Sequence, residues 1–289
     1  MSRARQFLSS VRRELWENRS IYLAPLGVAA LFLIGFFISL IRLPARMRVA
    51  SALDPMRLQE VIEQPYLIVA LMLMAVAMLV AVFYCLDALY GERRDRSILF
   101  WKSLPVSDLM TVLSKASIPI LVLPLVTFAV TVATQFIMLI VSSIVLAGIG
   151  MGFTTMWTRV PFHEVVGIHF LHLVGFHGLM YAPLYGWLLL VSAWAKRAPF
   201  LWATLPPVAI GAVERIAFNT THFSDVIRNH FLGGPMPGGT AGGMRMTMDI
   251  LSPEPLGRLL LSPHLWCGLG ITALFLLAAV RLRRARGPI

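Results

Sequence analysis

Apolar residues along this chain fall into long blocks separated by short polar segments. A block of about 18 or more is a candidate membrane span, because roughly 20 helical residues at about 1.5 Å rise cross a hydrocarbon core of about 30 Å. The pattern predicts six spans. The first, Tyr22 to Ile41, carries no charge and holds twelve Leu, Ile, Val or Phe residues. Each contributes roughly −0.3 to −0.6 kcal/mol to insertion at a central position. The second runs from Pro65 to Leu89, the fourth from Val165 to Ala195, the fifth from Ala198 to Phe218 and the sixth from Pro263 to Val280. The third block, Ala116 to Ile149, has 34 residues. As one helix it would be about 51 Å long, so it must tilt, protrude or bend. Pro119 and Pro124 near its start can kink it.

The segments between the blocks have their own patterns. Ser2 to Ser20 reads as an amphipathic helix for the membrane interface. Phe7, Val11 and Leu15 recur every fourth residue beside Leu8, and Arg5, Arg12, Arg13 and Arg19 supply the polar side. Arg42 to Gln64 reads as a polar loop, and Gly150 to Glu164 as a loop with Trp157 and Arg159. Lys196 and Arg197 make a short turn. In the long segment 219–261, Phe223, Val226, Ile227 and Phe231 have helical spacing and predict a short interfacial helix. Leu232 to Gly243 contains six glycines and two prolines and predicts irregular backbone.

Composition agrees with lipid as the solvent. The chain of 289 residues is 58% hydrophobic and 13% charged, against about 25% charged in soluble domains, and its mean hydropathy is +0.77. A net charge of +11 would suggest nucleic acid on a soluble chain; here it reads as the basic bias that holds loops in the cytoplasm. With both ends inside, sixteen of the 25 Lys and Arg residues fall on cytoplasmic segments and nine on the longer outer ones. The expected fold is therefore an all-α membrane protein of about six spans with both termini cytoplasmic. Cys85 and Cys267 each fall inside a span and imply no disulfide framework. The first apolar block is too long for a signal-peptide core and lacks a small-x-small cleavage site, so no secretory leader is expected.

The most polar stretch beside any span is Tyr90-Gly-Glu-Arg-Arg-Asp-Arg-Ser-Ile-Leu-Phe-Trp-Lys-Ser-Leu-Pro-Val-Ser-Asp, running on to Lys115. It resembles the cytoplasmic loop of ABC transporter permeases of the type 2 exporter class: an acidic-basic pair, an apolar pair, Leu-Pro-Val-Ser, and a Lys before the next span. The basic N-terminal helix, the stretch from Pro206-Pro207 to Glu214-Arg215 with Phe218 after it, and the ending from Ser262-Pro263-His264-Leu265-Trp266 to Arg281-Leu282-Arg283-Arg284 are similar to that class too. The resemblance covers the whole chain in layout, while its motifs are loose. It implies one permease domain over residues 1–289, in the bacterial inner membrane, with 90–115 as a coupling loop. It also implies two permease copies, most simply a homodimer, with two separate ATPase subunits and a substrate path at the permease interface. In the loop, Glu92, Arg93, Arg94, Asp95, Arg96 and Lys102 supply charge, while Ile98, Leu99, Phe100 and Trp101 supply contact area for a soluble partner. Pro105 and Ser107 read as the turn and N-cap into the next helix. The chain has no Gly-x-x-x-x-Gly-Lys-Ser/Thr segment, so it has no phosphate-binding loop of that kind. ATP and Mg would belong to the partner, and this chain is expected to carry no cofactor of its own and no enzymatic activity.

Polar residues inside the spans mark a second set of candidates. His169 and His172 share a face of the fourth span, and His177, Tyr181 and Tyr185 follow at four-residue steps. Gly175 and Gly178 allow close helix approach. Thr127, Thr131, Thr134, Gln135 and Ser142 lie mostly on one face of the third span. The His face either lines a substrate path or binds a proton or metal, or it hydrogen-bonds neighbouring helices, and the third-span stripe either glues helices together or faces water. Glu214 and Arg215 lie near the outer boundary of the fifth span, where a gate, a ligand contact or a salt bridge to a loop would each fit. His163-Glu164 is followed by Gly167 where a zinc hydrolase needs its second His, so that motif fails and no metal site is expected. Asn219-Thr220-Thr221 matches a glycosylation sequon that is common by chance. Two other functions compete with the permease. A secondary transporter would need carboxylates near the midplane, whereas Asp87 and Glu214 both sit near span ends. A membrane-embedded enzyme or anchor would need no ATPase at all.

Overall fold

The computed structural model describes residues 3–43, 45, 55–103, 106–148, 157, 160, 162–232 and 263–287. Their regular structure is helical throughout. In chain order the elements are α1 (Arg3–Glu17), α2 (Ser20–Leu40), α3 (Pro55–Ala88), α4 (Tyr90–Arg94), α5 (Ser97–Ser103), α6 (Asp108–Ser117), a π-helical turn (Ile118–Val122) and α7 (Leu123–Gly148). There follow α8 (Phe162–Phe170), a π-helical segment (Leu171–Met180), α9 (Ala182–Trp194), α10 (Pro199–Phe218), α11 (His222–Leu232) and α12 (Pro263–Ala285).

Five helical stretches among the described residues are long and apolar enough to cross a membrane: Ser20–Leu40, Ile62–Arg94, Asp108–Gly148, Pro199–Phe218 and Leu265–Ala285. The bent pair Val165–Met180 and Ala182–Trp194 makes a sixth if it counts as one span. The chain is an all-α, multi-pass membrane protein. Three boundaries differ from the expectation. The polar segment before the second span is helical from Pro55, and the third span starts at Asp108, because charged ends continue a helix at little cost once an apolar stretch has nucleated it. The last helix runs on to Ala285 rather than Val280.

The long third block resolves its length by changing winding. Pro119 and Pro124 each lack the N–H that would bond four residues back. The backbone between α6 and α7 takes up that loss as the π-helical turn Ile118–Val122.

The chain divides into two compact units. One comprises residues 19–80 and 123–173. Here α2 packs along α7 around a core of Ala29, Tyr66, Val69, Leu73, Met138, Leu139 and Leu146. The other comprises 1–18, 81–122 and 174–289. Its most extensive helix contact joins α9 to α12. Gly186 allows it: a Cβ there would stand 3.3 Å from Thr272 Cγ2 and 3.4 Å from Phe275 Cβ. Leu89, Val112, Ala193, Ala279 and Val280 form a core that brings α6, α9 and α12 together beside the break between α3 and α4. That core sets up the candidate site.

A buried ion network as candidate functional site

α1 turns a polar stripe inward. Ser10 and Glu14 are its buried residues, while Arg5, Leu8, Arg12 and Trp16 lie exposed on the opposite face. The expected apolar stripe of Phe7, Val11 and Leu15 is only half-buried and flanks Glu14. The Glu14 carboxylate, fully buried, accepts from Tyr84 Oη at 2.9 Å, from Lys115 Nζ at 2.9 and 3.1 Å, and from Arg13 at 2.8 Å. Burial by itself pushes its pKa up. The Lys115 charge and the hydrogen bonds from Arg13 and Lys115 outweigh that and hold it below the ordinary value.

Lys115, itself 2% exposed, also pairs with Glu92 Oε1 at 3.1 Å. The other Glu92 oxygen pairs with Arg283. Arg283 Nε then donates to Asp108 Oδ1 at 3.0 Å. Three acids (Glu14, Glu92, Asp108) thus alternate with Lys115 and Arg283, and Arg13 adds a third cation at the Glu14 end. Opposite charges in such alternation are what lets a low-dielectric site hold ions at all. The network joins α1, α4, α6 and α12.

The loop is anchored a second time through backbone groups. At the break between α3 and α4, Ser192 Oγ accepts from the N–H groups of Leu89 and Tyr90 at 3.0 and 2.8 Å and donates to Leu86 O at 2.8 Å. One α9 hydroxyl therefore satisfies donors that a helix break would leave unpaired. Arg93 donates to Ala193 O at 2.7 Å and Ala195 O at 3.1 Å, the carbonyls at the end of α9. Arg96, at φ 58°, turns the chain from α4 into α5. Ser107 caps α6 by accepting from Met110 N–H at 3.2 Å, as its sequence context predicts.

The predicted loop residues separate into two groups. Glu92 and Arg93 are buried and hold the loop in place. Arg94 and Asp95 are exposed and paired at 2.9 Å, and that hydrogen bond lowers the Asp95 pKa. Leu99 and Phe100 are 59% and 60% exposed. Trp101 is half-buried, with the Arg13 guanidinium 3.9 Å above its ring and Phe100 edge-on at 4.9 Å. Lys102 donates to Arg286 O at 3.2 Å. Pro105 lies outside the described residues.

The predicted span residues fall into separate clusters. In the first unit, Gln135 Nε2 donates to Tyr66 O at 3.0 Å and lies 3.5 Å from His169 Nε2. His169 Nδ1 is 2.6 Å from Val165 O. A carbonyl only accepts, so Nδ1 carries a proton, and Nε2 faces the Gln135 amide. Thr131 bonds back to Thr127 O at 2.8 Å, and His172 Nδ1 lies 3.4 Å from Ile168 O. In the second unit, the Tyr185 hydroxyl lies 3.0 Å from His177 Nδ1, and the His177 and Tyr181 rings meet at 5.9 Å. Glu214 accepts from Thr220 Oγ1 at 3.0 Å and from Phe223 N–H at 2.9 Å, so it caps α11 from the end of α10. Arg215 is exposed.

Sequence reasoning missed Glu14, Tyr84, Asp108, Ser192 and Arg283 as members of one site. The available signal was an acid in the last turns of the basic N-terminal helix, a Lys at the start of an apolar block, and a Ser near the end of another. Comparison with protein-family models, with curated proteins and with solved structures yields no match.

Proposed function

We propose that this chain is the membrane-spanning permease subunit of an ATP-driven ABC exporter, powered by a separate ATPase. The observation that carries the reading is the α4–α5 element. It is short, it projects Leu99 and Phe100 into solvent, and it is fastened behind by Glu92, Arg93 and Ser192 to helices continuous with the spans. A push on such an element moves those helices rather than deforming a loop. With both ends in the cytoplasm, α4–α5 faces the compartment that holds ATP, as the resemblance to type 2 exporter permeases requires. ATP binding closes the ATPase dimer, α4–α5 passes that motion to the helices it is tied to, and the interface between two permease copies opens outward. Pairing the Leu99→Asp change with Trp101→Ala should abolish most ATP-coupled transport in a reconstituted complex while leaving the fold intact. Unchanged coupled transport would sink the assignment.

A further inference from the structure

The arginines that end the chain read in the sequence as a topological anchor, and for that purpose any of them would serve equally. Their environments are not equal. Arg283 is 4% exposed, whereas Arg281 and Arg284 are exposed. The Arg283 guanidinium reaches two acids that stand on either side of the loop tip: Glu92 in α4, before it, and Asp108 in the first turn of α6, after it. Leu99 and Phe100 lie between those two points in the chain. One planar cation therefore fastens both ends of the segment that projects the exposed apolar pair. A guanidinium suits this, since its N–H groups diverge in a fixed fork, whereas an ammonium is a point charge.

The residues after Arg283 extend the grip. The carbonyl of Arg286 accepts from Lys102 Nζ at 3.2 Å, and that of Gly287 accepts from Arg93 Nε at 3.5 Å. Arg286 itself reaches Trp194 O at the end of α9. Asp108 sits where the positive end of the α6 dipole favours an anion, and Arg283 where the negative end of α12 favours a cation. The pair is thus supported from both helices.

We propose that the C-terminal segment Arg283–Gly287 is a clasp for the α4–α5 element and that Arg283 is its positioning residue. This rests on the reading of α4–α5 as the ATPase contact. The C-terminus then controls coupling: Arg283 sets how firmly Leu99 and Phe100 are presented, and it touches neither substrate nor nucleotide.

The test uses the full-length chain in lipid nanodiscs, with Cys85 and Cys267 replaced and a nitroxide attached through Phe100→Cys. A second preparation carries the label through Leu274→Cys, an exposed position in the middle of α12. Arg283→Gln should raise the mobile spectral fraction at position 100 severalfold and leave position 274 unchanged. Arg281→Gln, which removes the same charge from the same end, should change neither. Arg283→Lys should restore part of the immobilisation. Asp108→Asn removes one arm of the clasp from a half-buried carboxylate, so it gives a readout even if Arg283→Gln does not fold; it should loosen position 100 by an intermediate amount. An immobile position 100 in Arg283→Gln or Asp108→Asn overturns the proposal. So does equal loosening at position 274, or the same effect from Arg281→Gln. None of these measurements needs an ATPase, so a chain that proves to have no ATPase partner would overturn the functional reading while leaving the clasp to be judged on its spectra.

Discussion

Glu14 and Lys115 stand 101 residues apart in the chain, yet each depends on the other for being charged inside the protein. Removing one partner of a buried pair leaves an uncompensated ion and typically costs about 3–5 kcal/mol. Lys115→Met takes the cation shared by Glu14 and Glu92 and leaves them to Arg13 and Arg283, so a loss toward the lower end of that range is expected, about 3 kcal/mol, read as a lowered unfolding midpoint in detergent. The Glu14 carboxylate also gives a pH signature. Its folded pKa lies below the ordinary value of 4.5, so its stabilisation is fully present above that value and is lost as pH falls through the depressed one. Acid unfolding followed below about pH 4.5 should be steeper in the native chain than in Glu14→Gln. Equal slopes would mean that Lys115, Arg13 and Tyr84 do not hold the carboxylate charged. Little of this was legible beforehand. Glu92 stood out because its neighbours in sequence are charged. Glu14 and Asp108 did not, because Tyr84, Lys115 and Arg283 reach them from other elements and no local pattern encodes a partner so far away.

At the scale of elements, periodicity located helices both in the spans and outside them. The apolar blocks become helices, three of them extended by charged flanks and the fourth bent between Met180 and Ala182, and α11 forms where Phe223, Val226 and Ile227 predicted it. α1 forms as a helix where Phe7, Val11 and Leu15 predicted one, and its most buried residue is an acid, held by four hydrogen bonds from Arg13, Tyr84 and Lys115. The π-helical turn was foreshadowed by Pro119 and Pro124, whereas the longer one at Leu171–Met180 had no proline to announce it. Contact between α9 and α12 depends on Gly186, which no periodicity singles out. Gly186→Leu should force the two helices apart, an overpacking cost of about 1–3 kcal/mol. Differential scanning fluorimetry with a native-cysteine thiol dye would show it as a lower midpoint. An unchanged midpoint would mean that the helices are less closely apposed than described.

At the scale of the whole molecule, spans were the most legible feature because length and hydropathy set them directly. Orientation rests on the distribution of Lys and Arg, and it carries the functional reading, since α4–α5 must face ATP. With both native cysteines replaced, Ser107→Cys should resist an impermeant thiol reagent applied to intact cells, and Ser51→Cys should react. The opposite pattern inverts the topology. The ion network adds a reason for the proposed lever, because α1, α6, α9 and α12 all grip the base of the loop while Leu99 and Phe100 lie exposed. The partner decides whether the proposed permease reading holds. Extracted gently from its native membrane and purified by a tag on this chain, the protein should bring a stoichiometric P-loop ATPase with it, and Leu99→Asp with Trp101→Ala should release that ATPase while this chain stays folded. A chain that purifies without any ATPase and still supports uptake driven by an ion gradient would contradict it.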